Sequence, residues 1–264
     1  MSEPARLDDD VIERFAARLH AAEQRAAPIA RLTNEHAFSL DDGYTIQRAL
    51  IAQKKLDGET LVGMKMGLTS RAKMEQMGVH VPIYGHLTSG MVLVDGGAVV
   101  RAAHCHPRVE PEVAFVLGRR LSGRVTTSEA LLAVDGVCAA LEVIDSRYEN
   151  FSFTLPDVVA DNASSSRFVL GDTLVSPRAV DVANLGMIMK KNGRVVETGA
   201  SSAIYEHPGR SLATLAHLLA ERGEALEAGS VVLTGGATAA IALAPGDVVE
   251  LDVQSLGRAS VSVR

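Results

Sequence analysis

The apolar residues of this 264-residue chain change their spacing near residue 60, and that change limits the folds open to it. Before it they recur at helical period. Val11, Ile12, Phe15, Leu19 and Ala22 share one stripe of a helix expected over residues 8–26. Asp8, Asp9 and Asp10 suit the positive end of that helix's dipole. A second helix should start at Ser39, where Asp42 completes a pattern resembling a capping box, and stop near Gly58 with Ile46, Leu50 and Ile51 facing inward. Beyond residue 60 the apolar runs shorten to strand length, and Gly, Asn and Asp punctuate them. Strands are expected at 60–66, 109–117, 141–144, 231–234, 248–253 and 259–263. Asp95-Gly96-Gly97 and Asn192-Gly193 carry hairpin signals, the first between 91–94 and 98–101, the second between 185–190 and 194–198. Helices are expected at 70–78, 128–140 and 211–222. The pattern predicts an α+β chain: a small helical segment over residues 1–59, then a mixed, β-rich catalytic domain over residues 60–264.

Composition narrows the function. Aromatics are 4% and tryptophan is absent, so Val, Leu, Ala, Ile and Met must build the core. A net charge of -6 argues against a general nucleic-acid binder, which needs a basic surface to neutralise phosphates. No apolar run approaches the roughly 18–20 residues that span a bilayer, and MSEPARLDDD lacks the features of a secretory signal. A soluble, cytoplasmic protein without a membrane partner is expected. Cys105 and Cys138 have no metal or redox spacing and read as buried thiols; a disulfide or a catalytic thiol is the lesser alternative.

Several residues are chemically out of place. Glu110 and Glu112 flank Pro111 on an expected strand, so both carboxylates point to one face. Such a pair raises its own pKa values unless a cation sits between them, and oxygen ligands suit a hard divalent ion. Two solvated acids on an exposed face are the plainer reading. Glu142 interrupts the apolar run Leu141 to Ile144, where it needs a metal, a base or an exposed face. Lys65 stands between Gly63 and Gly67 in another apolar strand; it either holds an oxyanion or guards a strand edge. Asp161-Asn162-Ala163-Ser164-Ser165-Ser166 offers short polar groups that could cap a turn or wrap a carboxylate. His106, just ahead of the acids, and Thr238, after Gly235-Gly236, are further candidates for touching a substrate. No Gly-Lys pair follows those glycines, and no zinc or G-x-S-x-G spacing occurs.

In order, VGMKMGLTS, HPRVEPEVAFVLG, LEVIDSRYENF, VADNASSSRFVLG and LTGGATAA resemble the hydratase/decarboxylase branch of the fumarylacetoacetate hydrolase superfamily. The resemblance runs from about residue 40 to the end. It implies that fold, an Mg²⁺ or Mn²⁺ ion on Glu110, Glu112 and Glu142, an active-site lysine at Lys65 and a substrate-binding serine at Ser164. It also implies a small 2-oxo dicarboxylic acid as substrate, a homo-oligomer and a complex with the hydratase of the same pathway. Two sister reactions fit: decarboxylation of a 2-oxo-enedioate, and hydration of the dienol it yields. Ile83 stands where the hydrating enzymes carry an acid, and His106-Pro107 where they carry Gln-Pro, which favours decarboxylation. A silent partner subunit and an acylpyruvate hydrolase are the remaining alternatives, the latter requiring a water-activating base.

Overall fold

The computed structural model describes residues 6–70, 74–75 and 82–264. The chain opens with two helices, α1 (Asp9–Arg25) and α2 (Leu40–Leu56). Ser39 caps α2 as expected: its hydroxyl accepts from Asp42 N, and the Asp42 carboxylate accepts from Ser39 N at 3.1 Å. Ile12, Phe15, Leu19, Ile46 and Leu50 form a cluster with Tyr148 and Ala160, so the helices are built onto the later chain rather than set apart from it. Truncating any one of these large buried side chains to Ala costs about 2–5 kcal/mol.

The rest is two packed sheets. Strands β1 (Leu61–Gly67), β2 (Ile83–Thr88) and β3 (Val92–Leu93) enter the larger one, and β4 (Ala98–Val99) the smaller. β5 (Arg108–Leu117), helix α3 (Thr127–Leu132), β6 (Val134–Ile144), helix α4 (Leu155–Ala160) and β7 (Ser165–Leu170) follow. Then come β8 (Gly186–Lys191), β9 (Arg194–Ala200), helix α5 (Pro208–Ala220), β10 (Val231–Leu233), β11 (Ile241–Ala242), β12 (Val248–Val253) and β13 (Gly257–Val263). The larger sheet runs β2-β1-β10-β5-β6-β7-β3, with β11 paired to β5; the smaller runs β4-β13-β12-β8-β9. β12 and β13 pack on β6 and β7, and apolar side chains between the layers make the main core.

Two expectations are corrected. The helix read over 128–140 ends at Leu132, and β6 begins at Val134. β6 is paired on both edges, by β5 and β7, and almost wholly buried, so it lacks the alternation that marks a half-exposed strand. Gly136 lies against Leu174 so closely that a Cβ would stand 2.3 Å from Leu174 Cγ. Asp95-Gly96-Gly97 is no hairpin: β3 pairs with β7 and β4 with β13, so this turn passes the chain from one sheet to the other. Asp95 anchors the passage by accepting from Ser260 N and Oγ. The Asn192-Gly193 hairpin forms as read, with both residues at positive φ. Helix α5 starts three residues earlier than expected, because Pro208 occupies its first turn and the His207 ring accepts from Gly209 N at 2.8 Å. The helix expected at 70–78 lies largely outside the described residues.

Candidate metal centre and active site

β5 and β6 are neighbours in a register that sets Glu110 directly opposite Glu142. Glu112, two residues along β5, shares the same face. Ligand atoms of all three carboxylates lie within 4.8 Å of one another, and all three residues are buried. Buried carboxylates without counter-charge are costly. Burial, reinforced by Glu142 and Glu110, pushes the Glu112 pKa well above the usual carboxylate range. Burial also raises Glu142, against the pull of Lys65. Glu112 Oε1 and Glu142 Oε1 have no hydrogen-bond partner among the described residues. Three convergent carboxylates, two orphan oxygens and one nearby ammonium make a donor set that fits a hard divalent cation.

The surrounding backbone is shaped to this cluster. Gly235 N donates to Glu112 Oε2 at 2.6 Å, and Gly235 has φ 113°. A side chain at Gly236 would place its Cβ 2.3 Å from Glu110 Oε2. The Gly235-Gly236 turn is therefore a cradle for the acids, a role its sequence alone left open. Lys65 enters from β1, its Nζ 3.0 Å from Glu142 Oε2 and donating to Ala163 O at 3.2 Å.

Ser164 closes the site from an unusual loop. Asn162, Ala163 and Ser164 all have positive φ, between 50° and 58°. Left-handed backbone costs roughly 1–2 kcal/mol per residue with a Cβ, Asn tolerating it better. Neighbouring groups hold it: the Asn162 amide pairs with His86 N and O, and Asp145 N donates to Ser164 O. The fully buried Arg147 guanidinium donates to Asp161, to Asp145 O and to Ser165 O. Ser164 Oγ, buried and without a hydrogen-bond partner among the described residues, lies at a cavity of about 590 Å³.

Lys65, Glu110 and Ser164 line this cavity with apolar groups that include Leu68, Ile83, Phe151, Phe153 and Val158. Glu110 is the one carboxylate among the described lining residues, and Ile83 adds an apolar side chain to the wall. Arg108, Phe151 and Phe153 also reach it, and sequence reasoning passed over all three; two aromatics in a chain so poor in them were the available signal. His106 and Thr238 are not among the lining residues. His106 Nε2 lies 3.1 Å from Tyr148 O, and Thr238 turns its methyl toward Gly199. A wider groove of about 830 Å³ over the smaller sheet has charged residues Asp252 and Arg258 that pair with each other at 2.9 Å, so the chemistry belongs to the smaller cavity.

Residues 61–264 match the profile of the fumarylacetoacetate hydrolase C-terminal domain. The chain belongs to the fumarylacetoacetate hydrolase family. A 4-oxalocrotonate decarboxylase from Pseudomonas sp is 52% identical over 251 residues, covering 95% of this chain and 97% of that protein. The structure of 4-oxalocrotonate decarboxylase from Pseudomonas putida G7, complexed with magnesium and adipate, superposes with TM-score 0.96 at 43% identity, over 98% of this chain and 100% of that one. A 2-keto-4-pentenoate hydratase from Paraburkholderia xenovorans LB400 is 38% identical over 248 residues, 93% of this chain and 92% of that protein. No helix among the described residues is long and apolar enough to cross a membrane.

Proposed function

We propose that this family member removes CO₂ from 2-oxohex-3-enedioate (4-oxalocrotonate), leaving 2-hydroxypenta-2,4-dienoate. The observation that carries the reading is the cavity's composition: it is lined by Lys65, by Glu110 of the metal-fitting acid cluster, and by apolar groups including Ile83. The higher identity to decarboxylases than to hydratases supports it.

Glu110, Glu112 and Glu142 would hold Mg²⁺ or Mn²⁺, whose bound form supplies a Lewis acid beside the substrate's 2-oxo and adjacent carboxylate oxygens. The C5–C6 bond breaks, its electron pair moves through the alkene into the 2-oxo group, and that oxygen takes up a proton. Lys65 sets a positive charge beside the cluster where negative charge gathers, and its bonds to Glu142 and Ala163 fix it there in advance. Ser164 Oγ, which has no partner among the described residues, would donate to a substrate carboxylate oxygen. Leu68, Ile83, Phe153 and Val158 make an apolar wall, and among the described lining residues no acid beyond the metal cluster stands where it could protonate the dienol's carbon, which favours release of the dienol unhydrated. His106 and Thr238 stand further from these events and would act only through their neighbours. The same reading extends to a cytoplasmic homo-oligomer that works beside the pathway hydratase, which co-purification of the two enzymes tests.

The deciding assay follows CO₂ release from 2-oxohex-3-enedioate with Mg²⁺, beside consumption of 2-hydroxypenta-2,4-dienoate. Release that EDTA abolishes, with the dienol untouched, is the expected result. Consumption of the dienol alone would overturn the decarboxylase reading in favour of the hydratase.

A further inference from the structure

We infer that Arg108 recognises the substrate carboxylate farthest from the metal-binding acids, and so selects 2-oxo diacids over 2-oxo monoacids. Arg108 is the first residue of β5 and shares a face with Glu110 and Glu112. Roughly 7 Å of strand separates it from Glu110, which is comparable with the length of a six-carbon diacid. It lines the same cavity, and its guanidinium lies 4.5 Å from the centre of the Phe151 ring, which lines it too. Stacking on that ring limits the rotamers open to the fork before any ligand arrives.

Among the described residues the guanidinium has no anion beside it. Arg120, Arg147, Arg210, Arg222 and Arg258 each have a carboxylate partner. Among the described residues the Arg108 side chain has neither an acid nor a carbonyl acceptor, although it lines the same cavity as Lys65 and Glu110, the lining member of the three-carboxylate cluster. A substrate anchored at that cluster by its 2-oxo acid group can extend a second carboxylate along β5 toward Arg108. Arg108 is exposed, at the wet mouth of the cavity, so its ion pair is screened and weak enough to release the group that must depart. Once that carboxylate has left as neutral CO₂, Arg108 holds nothing, and the monoacid product is bound less tightly than the diacid substrate.

This inference rests on the proposed decarboxylation, and the test separates the two. Calorimetry on the Mg²⁺-loaded protein would compare 2-oxohexanedioate, a saturated diacid that cannot lose CO₂ by this route, with the monoacid 2-oxohexanoate. Arg108→Gln is expected to weaken diacid binding about tenfold, with monoacid binding changed less than about twofold; Arg108→Lys should recover part of the loss. In turnover the same variant should raise KM far more than it lowers kcat. Equal loss for both ligands, or loss for neither, overturns the role of Arg108. A wild-type protein that releases no CO₂ yet loses diacid selectivity in Arg108→Gln overturns the reaction and leaves the selectivity standing.

Discussion

Glu112→Gln should make the metal-free protein more stable while removing its ability to take up Mg²⁺. Glu112 is fully buried, and its ligand atom lies within 4.8 Å of those of Glu110 and Glu142. At an effective dielectric near 20, two unit charges at that spacing repel by about 3.5 kcal/mol. Lys65 offsets part of this, and protonation of a raised carboxyl removes more, so a relief of about 1–3 kcal/mol remains near pH 8. Glutamine keeps an acceptor for Gly235 N, so the cradle has no reason to open. In EDTA the variant should melt about 2–8 °C above its parent. Magnesium at a hundred times Kd should add about 2.7 kcal/mol to the parent, and at the same concentration almost nothing to the variant. The sign with pH follows from burial. A carboxyl whose folded pKa lies above its unfolded value costs nothing below the unfolded value and destabilises increasingly as pH rises above it. The metal-free parent should therefore lose stability between pH 5 and pH 8, and the variant should lose less. Thermal melts with EDTA or Mg²⁺ across that range decide the matter. A variant that melts lower in EDTA and still shifts with Mg²⁺ like its parent would refute the cluster as a metal site.

Lys65→Ala should lower kcat about 100-fold with the far-ultraviolet dichroism unchanged, since its charge serves the reaction and the strand is held by β2 and β10; unaltered turnover would reduce Lys65 to a counter-ion of Glu142. Ala163→Gly relieves one left-handed residue and should raise the melting temperature by about 2–4 °C, whereas a lower value would mean the loop stores no strain. Burial pushes the Cys105 and Cys138 thiols up to about 11, so both should resist a thiol reagent at pH 8 until the protein is unfolded.

The acids were legible because each broke a local rule. Glu142 is a charge within an apolar run, and Glu110 and Glu112 share a strand face, so a common destination could be read from periodicity. Their register was not legible, because the helix read over 128–140 hid most of β6, and only its last residues were seen as strand. A strand paired on both edges and buried on both faces carries no period-two signature. The Asp95-Gly96-Gly97 turn was legible as a turn but not as a change of sheet, since partners β7 and β13 lie far along the chain. Arg108 escaped notice because an arginine at a strand end is unremarkable until Phe151, 43 positions later by number, is seen beneath it.

The position of β10 bears on how the chain is made. It lies between β1 and β5, pairing with both, and the turn that follows it supplies the Gly235 amide to Glu112. A ribosome finishes β5 at residue 117 but does not deliver β10 until residues 231–233, so a nascent sheet carries an open slot flanked by two unpaired edges through that interval. Until the slot fills, Lys65 and the carboxylates belong to separate pieces of structure. Messages cut short before residue 235 should therefore give aggregation-prone fragments that chaperones must hold, and never a partly active enzyme.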